Sequence, residues 1–477
     1  MTGGTLLILL AVVAVFLGLL AIRLHVGLSL MLAGLLGIVL MRSTDAAVST
    51  VANQPYSTAA DYSLTIIPLF ILMGVFAVHA RLAQAGFDLA SRVLRRLPGG
   101  TALASLSGSG LFAAVTGSSV ATVATMARVS TDAIVKAGHG LRLAAGVVCA
   151  GGTLGVLIPP SIVLVLYGVV TEENIGQLLL AGIGPGLLTI LVYAVTIMLL
   201  VAAGKRRRAA RAAEREKVGA AAPGSAGSPA AAADGPDADG SDADPAPEAG
   251  PEGNRPPPLD LVGFGFLVVI FAVSIGTIYL GVATATEAAS FGAVSAFVIL
   301  LLRTRPPRWM RVVKESVTEA VGLTAMTFLL MVGAGVFTYF LALSGASTAV
   351  VNAVLAADLP PYLVLVLCLL VLLPLGMFLD GISMILIAGP LLHPILVGYG
   401  FDGIWLGVLI VKVAEMALIT PPVGMNAFVY SGAVPEAGLG RIFRGIVPFI
   451  VADVIVVAVL ILVPEITTFI PYLSSAQ

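Results

Sequence analysis

The sequence predicts an all-α polytopic membrane protein in which two inverted repeats each contain five spans and one re-entrant hairpin. Composition supplies the first observation, because 58% of the 477 residues are hydrophobic and only 11% are charged, a balance that cannot cover a water-facing surface. The other observations are a series of apolar stretches of span length and three motifs that recur in both halves of the chain. The formal net charge of -1 gives no indication of a nucleic-acid partner, and we expect none.

Apolar stretches of about 20 residues, the length of a helix that crosses a bilayer, define ten predicted spans. The first is too long for a signal-peptide core and lacks a basic n-region, so we expect it to remain in the mature protein. Cys149 and Cys368 lie in apolar stretches and are expected to be small buried side chains rather than a disulfide. The ten spans are 5–22, 25–41, 63–80, 141–170, 177–203, 259–280, 286–302, 318–342, 403–431 and 443–464.

Two further apolar stretches, 101–134 and 361–396, are interrupted at midlength by glycine and polar residues. Each has room for two short helices, so each predicts a re-entrant hairpin that enters and leaves the membrane on the same side. The first tip reads TGSS (116–119) and the second reads DGIS (380–383). Because lipid cannot satisfy these polar groups, the tips indicate a binding site.

Residues 204–258 divide the chain into a first repeat (1–203) and a second repeat (259–477). Their Pro, Gly, Ala and Asp content predicts a disordered linker.

The orientation in the membrane follows from the basic residues, which favour cytoplasmic loops. With both termini outside, all of the 25 Lys and Arg residues except Arg42, Arg128 and Lys412 fall in cytoplasmic loops. The linker is then cytoplasmic, the first hairpin opens to the cytoplasm and the second opens to the exterior.

Three pairs of motifs recur at nearly constant spacing. The separations are 261 residues for the GVF segments (Gly74 and Gly335), 264 for the hairpin tips (Gly117 and Gly381) and 262 for the Pro-Pro pairs (Pro159 and Pro421). An odd number of spans lies between corresponding elements, so the second copy would enter the membrane upside down. Secondary transporters use this inverted-repeat plan, with substrate and ions bound near the midplane at interrupted helices.

The Pro-Pro pairs suggest the chemistry of that site. Each removes two backbone donors and forces the preceding residue out of the helical region, so carbonyls just upstream lose their partners. At the first tip, Gly117 permits close backbone approach, and Thr116, Ser118 and Ser119 offer hydroxyl oxygens. Neutral oxygens around a small cavity suit a hard monovalent cation such as Na⁺. The helix N-termini at the tips suit an anionic substrate.

Several polar residues near the interruptions allow two interpretations. Asp380 is either a cation ligand or a cap for the following helix. Lys412 and Glu415 stand three apart on one helical face, which favours a mutual ion pair. Thr153 either bonds back to its own helix or contacts substrate. Asn426 either binds a substrate carboxylate or satisfies freed carbonyls.

Four motifs contain the hairpin tips and the breaks: AAVTGSSVATVATM, CAGGTLGVLIPPSIVLVLYG, LGMFLDGISMILIAGPLLHPI and EMALITPPVGMNAFV. At these motifs the sequence resembles the large membrane subunit (M, DctM-like) of the tripartite ATP-independent periplasmic (TRAP) transporters, and the resemblance covers nearly all of the chain outside the linker. It implies an elevator-type transporter of the ion transporter class, driven by Na⁺, in a bacterial or archaeal cytoplasmic (inner) membrane. It also implies a small membrane subunit (Q, DctQ-like) and an extracytoplasmic solute-binding protein (P, DctP-like) that delivers an organic acid such as a C4-dicarboxylate or a sialic acid.

The resemblance also assigns site residues. Its sodium ligands fall on Thr116, Ser118, Gly155, Ile158 and Pro160 at the first tip and break, and by the repeat on Asp380, Gly381, Thr420 and Gly424 at the second. The expected substrate-binding residues are Gly117, Ser119, Thr153 and Asn426. Apart from Na⁺ as coupling ion, we expect no metal and no cofactor.

The main alternative is a stand-alone Na⁺/organic anion symporter that also uses paired re-entrant hairpins. An enzyme is disfavoured because the spans contain no His-Glu-His or Ser-Lys constellation at helical spacing. A P-loop of the form GxxxxGK[ST] is also missing from the sequence, which weighs against ATP as the direct energy source.

Overall fold

The computed structural model describes residues 3–94, 96–220, 259–357 and 359–475. All regular secondary structure within these ranges is helical, which confirms the predicted all-α class. Eight helical segments in the described parts of the chain are long and apolar enough to cross a membrane by length and composition. Shorter apolar helices of 10–17 residues lie between them, including the first arm of the first hairpin and both parts of the first broken span.

Eleven helices make up the described part of the first half. They are α1 (Gly3–Ala21), α2 (Val26–Met41), α3 (Thr44–Ala60), α4 (Ile66–His79), α5 (Leu82–Leu94), α6 (Gly100–Thr116), α7 (Ser119–Lys136), α8 (Leu141–Leu154), α9 (Ile162–Thr171), α10 (Ile175–Ala181) and α11 (Ile183–Ala220). The first predicted hairpin is therefore a pair of helices, α6 and α7, and the span predicted over 141–170 is broken into α8 and α9.

Ten helices make up the described part of the second half. They are α12 (Leu261–Tyr279), α13 (Ala285–Arg303), α14 (Trp309–Ser344), α15 (Ala346–Ala356), α16 (Pro361–Gly376), α17 (Gly381–Gly398), α18 (Gly403–Ala417), α19 (Met425–Ala433), α20 (Leu439–Leu462) and α21 (Glu465–Ser475). Helices α16 and α17 form the second predicted hairpin, and α18 and α19 form the second broken span.

Several features differ from the sequence prediction. Helices α3, α5, α15 and α21 were not among the predicted elements. Helix α3 is too polar for a span, and α5 is amphipathic, with Leu82 and Ala85 buried on one face. Helix α11 continues to Ala220, so residues 204–220 of the predicted disordered linker are helical. The rest of that linker, 221–258, lies outside the described residues.

Side-chain caps fix where several helices begin. The Ser161 hydroxyl accepts a hydrogen bond from the backbone N–H of Leu164 at the start of α9, and Asp402 accepts one from Trp405 at the start of α18. Thr284 begins α13 with a reciprocal capping box. Each cap satisfies backbone donors that have no partner within the helix.

Small residues allow the long helices to pack at close range. Helix α2 lies against α14, and α4 lies against α13. At the first contact, a Cβ built on Gly27 would lie 2.8 Å from the carbonyl oxygen of Leu329, and one on Gly333 would lie 2.0 Å from the carbonyl oxygen of Gly27. Glycine at such contacts is a common device of membrane helix packing, because it lets two backbones touch.

The interrupted helices form a second packed group. Helix α6 lies against α8, α7 against α8 and α19, α9 against α17, and α16 and α17 against α18. The second arm of each hairpin thus contacts the broken span of the other half. This arrangement brings both tips and both breaks together.

Candidate functional site

The first tip is shaped by local backbone rules. Gly117 is the C-terminal cap of α6. Its φ of 65° lies in the left-handed region, and its N–H donates to the carbonyl of Ala113 at 2.8 Å. Such an end favours glycine. Ser118 then caps α7, its hydroxyl accepting from the N–H of Ala121 at 3.3 Å. The sequence TGSS therefore stops one helix and starts the next within three residues.

Hydroxyl and carbonyl oxygens gather at this tip. The hydroxyls of Thr116 and Thr122 are 3.2 Å apart, and the Thr122 hydroxyl donates to the carbonyl of Ser118 at 2.8 Å. Thr116 and Ser118, both predicted sodium ligands, thus lie in one cluster of neutral oxygens. Thr122 belongs to the same cluster, and its spacing four residues after Ser118 on a helix was the signal that could have identified it.

The first break packs directly against the tip. A Cβ built on Gly155 would lie 2.1 Å from the carbonyl carbon of Ala113, so only glycine fits between α8 and the end of α6. A Cβ on Gly117 would lie 2.8 Å from Ile162 of α9. Of the other predicted ligands, Pro160 lines a small apolar cavity with Val115. Ile158 directs its side chain toward Gly186 of α11, so any role in cation binding would fall to its backbone.

The second tip carries a carboxylate in place of a hydroxyl. Asp380 occupies the cap position of α17, yet its side chain accepts no hydrogen bond from the backbone of that helix. It accepts instead from the hydroxyl of Ser383. Asp380 is therefore not a conventional side-chain cap, and one carboxylate oxygen stays available for a ligand.

The second break places Thr420 and Gly424 beside each other. The Thr420 hydroxyl donates to the carbonyl of Met416 at 2.7 Å, and a Cβ on Gly424 would lie 3.2 Å from the carbonyl oxygen of Thr420. Gly424 begins α19 with a φ of 58°, a value that favours glycine. Close packing against the second hairpin comes from Gly376, where a Cβ would lie 2.5 Å from Ala417.

Three of the four predicted substrate residues, Ser119, Thr153 and Asn426, lie on α7, α8 and α19, which pack together, whereas Gly117 packs against α9. A Cβ on Gly152 would lie 3.0 Å from the carbonyl of Ser119 and 3.7 Å from the amide nitrogen of Asn426. Asn426 is buried, donates to the carbonyl of Cys149 at 3.4 Å and leaves its own side-chain oxygen without a partner in the described residues. The Thr153 hydroxyl donates to the carbonyl of Ala150 at 2.8 Å. Of the two interpretations of Thr153, this is the hydrogen bond to its own helix.

A buried polar network lies behind the second break. The ammonium of Lys412 lies 2.5 Å from a carboxylate oxygen of Asp453 on α20, and both side chains are buried. Tyr193 of α11 donates to the same oxygen at 2.7 Å. The predicted pair of Lys412 with Glu415 is therefore wrong. Although the two residues share a helix, Lys412 extends to a stronger partner on α20, which the spacing within α18 could not reveal.

Glu415 faces the other way, toward the hairpin tips. Its side chain is 1% exposed, and a Cβ built on Gly381 would lie 2.7 Å from one of its oxygens. The Ser119 side chain of the first tip also faces this carboxylate. Glu415 thus stands between the two tips, a place that sequence reasoning did not assign to it.

Helices interrupted in pairs, packed so that polar tips meet polar breaks, define a multi-pass membrane transport protein. Comparison with known proteins gives the family. Residues 13–466 match the family model described as "Tripartite ATP-independent periplasmic transporter, DctM component". The chain belongs to this family, whose members are transporter permeases and not enzymes, as the sequence predicted.

Similar proteins cover most of the chain. The C4-dicarboxylate TRAP transporter large permease protein DctM of Pseudomonas aeruginosa is 33% identical over 93% of this chain and 93% of its own length. The isethionate TRAP transporter permease protein DctMQ of Oleidesulfovibrio alaskensis is 29% identical over 88% of this chain and 60% of its own length. The solved structure of the Alcanivorax borkumensis YdaH transporter shares the fold, with a TM-score of 0.59 at 14% identity over 90% of this chain and 89% of that one.

Proposed function

We propose that this chain is the large membrane subunit of a Na⁺-coupled secondary transporter that takes up an organic acid delivered by an extracytoplasmic binding protein. The observation that carries the proposal is the meeting of two hairpin tips with two broken spans. One tip offers the hydroxyls of Thr116 and Ser118, and the other offers the carboxylate of Asp380. Hydroxyl, carbonyl and carboxylate oxygens suit a hard cation such as Na⁺.

Correspondence between the two halves supports an inverted repeat, which is part of the proposal. The helices of the second half begin at a nearly constant distance from those of the first: 261 residues for α6 and α16, 262 for α7 and α17, and 262 for α8 and α18. Contacts are exchanged between the halves in the same way. Helix α2 packs on α14 as α13 packs on α4, and α7 packs on α19 as α17 packs on α9. Paired contacts of this kind are expected of two copies of one unit.

Contacts between loops place several basic residues on one face, as the proposed orientation requires. Arg303 at the end of α13 pairs with Asp260 before α12 and donates to the carbonyl of Ala80 after α4. Arg142 before α8 donates to the carbonyl of Arg444 in α20. With both termini outside, all these groups lie on the cytoplasmic face, where basic residues are favoured. The inner membrane of a bacterium or archaeon is the proposed location.

The two packed groups suggest how transport occurs. Both hairpins and both broken spans contact one another, while α2, α4, α13 and α14 pack as pairs beside them. We infer that the first group moves as a body past the second, as in an elevator. The N-termini of α7 and α17 direct partial positive charge at the site, which favours an anionic substrate such as a carboxylate.

The partners follow from the family and its members. The family description names a tripartite system, and the similar permease from Oleidesulfovibrio alaskensis is named DctMQ and is longer than this chain. We propose a separate small membrane subunit (Q) and a solute-binding protein (P) as partners. The P component would choose the organic acid, because permeases similar to this chain are named for C4-dicarboxylate and for isethionate.

The test is uptake of radiolabelled organic acids, beginning with a C4-dicarboxylate, into proteoliposomes that contain this chain. The small subunit and the binding protein encoded beside it are each present or omitted, and an inward Na⁺ gradient is applied or removed. Uptake that needs all three proteins and the gradient supports the proposal. Equal uptake by this chain alone would favour the stand-alone symporter.

Ser118→Ala tests the first tip within the same system. The variant loses one oxygen of the cation site and one helix cap, and the cap alone contributes about 1 kcal/mol to stability. Ser43→Ala is the matched control, because Ser43 caps α3 in the same way, accepting from the N–H of Ala46 at 3.2 Å. We expect Ser118→Ala to need a higher Na⁺ concentration for half-maximal uptake and Ser43→Ala to behave as wild type. An equal response of both variants would remove Ser118 from the cation site.

A further inference from the structure

Glu415 is a buried carboxylate without an ion-pair partner among the described residues, and the hydroxyl of Ser119 is the nearest side-chain donor that faces it. It lies on α18 two residues before the helix ends, its side chain is 1% exposed, and neither of its oxygens accepts a hydrogen bond from the described residues within normal geometry. Buried polar groups in folded proteins are nearly always paired. An ionised carboxylate in such a place requires a compensating partner.

Neighbouring side chains do not supply that partner. Lys412 is the one basic side chain described near Glu415, and it is already held by Asp453 at 2.5 Å. Asp380, which precedes Gly381 at the second tip, adds a negative charge near Glu415 rather than a positive one. No ion pair to Glu415 or Asp380 is found in the described part of the chain. An oxygen of Glu415 lies beside Gly381, where a Cβ would be 2.7 Å from it, and Asp380 is the preceding residue, so two carboxylates belong to the second tip.

The corresponding position in the first half is neutral. Thr153 lies 262 residues before Glu415, the same separation as between Pro159 and Pro421. Its hydroxyl is bonded to its own helix at the carbonyl of Ala150. The two breaks thus differ in charge, since a neutral, internally satisfied group in one is replaced by an unpaired acid in the other.

We propose that Glu415 is a direct ligand of a monovalent cation held between its carboxylate and that of Asp380, beside the first turn of α17. The Ser119 side chain of the first tip faces the same point and would contribute a hydroxyl oxygen. The inference rests on the proposed cation coupling and adds to it. The second tip holds its cation by charge, whereas the first tip holds a cation by neutral oxygens alone.

This site would also link cation binding to the packing of the two tips. Glu415 touches the second hairpin at Gly381, where a Cβ would lie 2.7 Å from its oxygen, and it faces Ser119 of the first hairpin. Without the cation, Glu415 and Asp380 repel each other and the second tip is pushed away from α18. With the cation bound, both hairpins are drawn to the same break.

The experiment is equilibrium binding of radioactive ²²Na⁺ to the full chain, purified in lipid nanodiscs with its small subunit. The number of ions bound and their affinity are measured for wild type, Glu415→Gln and Glu319→Gln. The last is the matched control, because Glu319 is a half-exposed carboxylate on α14 that lies outside the site. We expect Glu415→Gln to lose one bound ion or to weaken its affinity at least about tenfold, as loss of a charged ligand should, and Glu319→Gln to match wild type.

The outcomes separate this inference from the proposed function. If wild type binds Na⁺ and Glu415→Gln binds the same number with the same affinity, Glu415 is not a ligand, while Na⁺ coupling stands. A Glu415→Gln protein that loses only a proton-dependent step and keeps its Na⁺ binding would overturn the inference as well. If wild type binds no Na⁺, the proposed coupling is wrong, and with it this site.

Glu415→Asp keeps the test decisive if the glutamine variant fails to fold. It retains the charge on a shorter side chain, so we expect it to bind the same number of ions at lower affinity. A folded Glu415→Asp protein with unchanged affinity would show that the position of this carboxylate is irrelevant to the ion.

Discussion

Asp453→Asn tests the buried ion pair that joins α18 to α20. The ammonium of Lys412 lies 2.5 Å from a carboxylate oxygen of Asp453, and the two side chains are 1% and 0% exposed. Asparagine has the same shape and keeps an oxygen to accept the hydrogen bond from Tyr193. The substitution removes the negative charge alone and leaves Lys412 without its counter-ion.

The expected cost follows from the distance. At 2.5 Å and an effective dielectric constant of about 20, the attraction between unit charges is about 7 kcal/mol. Desolvation of each buried ion costs several kcal/mol, so the intact pair contributes little net stability. Removing one partner forfeits the attraction but leaves the other ion desolvated, which typically costs about 3–5 kcal/mol. The double variant Lys412→Met/Asp453→Asn removes both charges of the pair and should cost clearly less than Asp453→Asn.

The assay is thermal unfolding of the purified chain in detergent with a thiol-reactive fluorophore. Cys149 is fully buried in the folded protein, as predicted, so its reaction with the dye reports unfolding. Cys368, which was also expected to be buried, is only partly buried, so every protein in the assay carries Cys368→Ala. Glu315→Gln is the control, because it removes the exposed pair with Arg311 on α14 and should leave the midpoint unchanged. A midpoint for Asp453→Asn equal to that of wild type, or a double variant as unstable as the single one, would refute the reasoning.

Two further predictions use the same unfolding assay. Gly155→Ala places a Cβ 2.1 Å from the carbonyl carbon of Ala113, and this clash should lower the free energy of unfolding by at least about 1 kcal/mol. The control is Gly322→Ala, which has nothing within 4 Å of the new atom and should stabilise α14 by up to about 1 kcal/mol. Equal unfolding midpoints for the two variants would contradict the close packing at Gly155. The Arg303 guanidinium beside Asp260 lowers the pKa of that carboxyl. The ion pair therefore contributes fully to the free energy of unfolding above the unfolded pKa of about 3.9, and this contribution is lost as the pH falls through the lower pKa of the folded state. The unfolding midpoint of Asp260→Asn should therefore fall less than that of wild type at acid pH, and parallel curves would count against the pair.

Much of the site could be predicted from short stretches of sequence. TGSS marks the end of α6 and the start of α7, because a left-handed glycine and a capping serine act over a few residues. The Pro-Pro pairs mark the breaks for a similar local reason. The sequence predicts that Asp380 lies at a hairpin tip but leaves two roles open, a cation ligand or a helix cap. In the structure its side chain does not cap α17.

Other features depend on which helices meet. Lys412 has Glu415 one turn away on α18, yet it pairs with Asp453 of α20, which is 41 residues further along the chain. The sequence cannot show that Lys412 pairs with Asp453, because this pairing depends on which helices pack around α18 in the folded protein. Amphipathic α5 was likewise not predicted, since a hydrophobicity count finds spans and passes over helices with one polar face.

The class of protein, the positions of the interruptions and the oxygen-bearing residues at the first tip can be read from the sequence, because they depend on composition and local backbone preferences. The place of Glu415 between the two tips, with Lys412 turned away to Asp453, can be seen only in the folded chain. The physical reason is that the cost of burying a charge depends on every group around it. Those groups come from helices far apart in the chain.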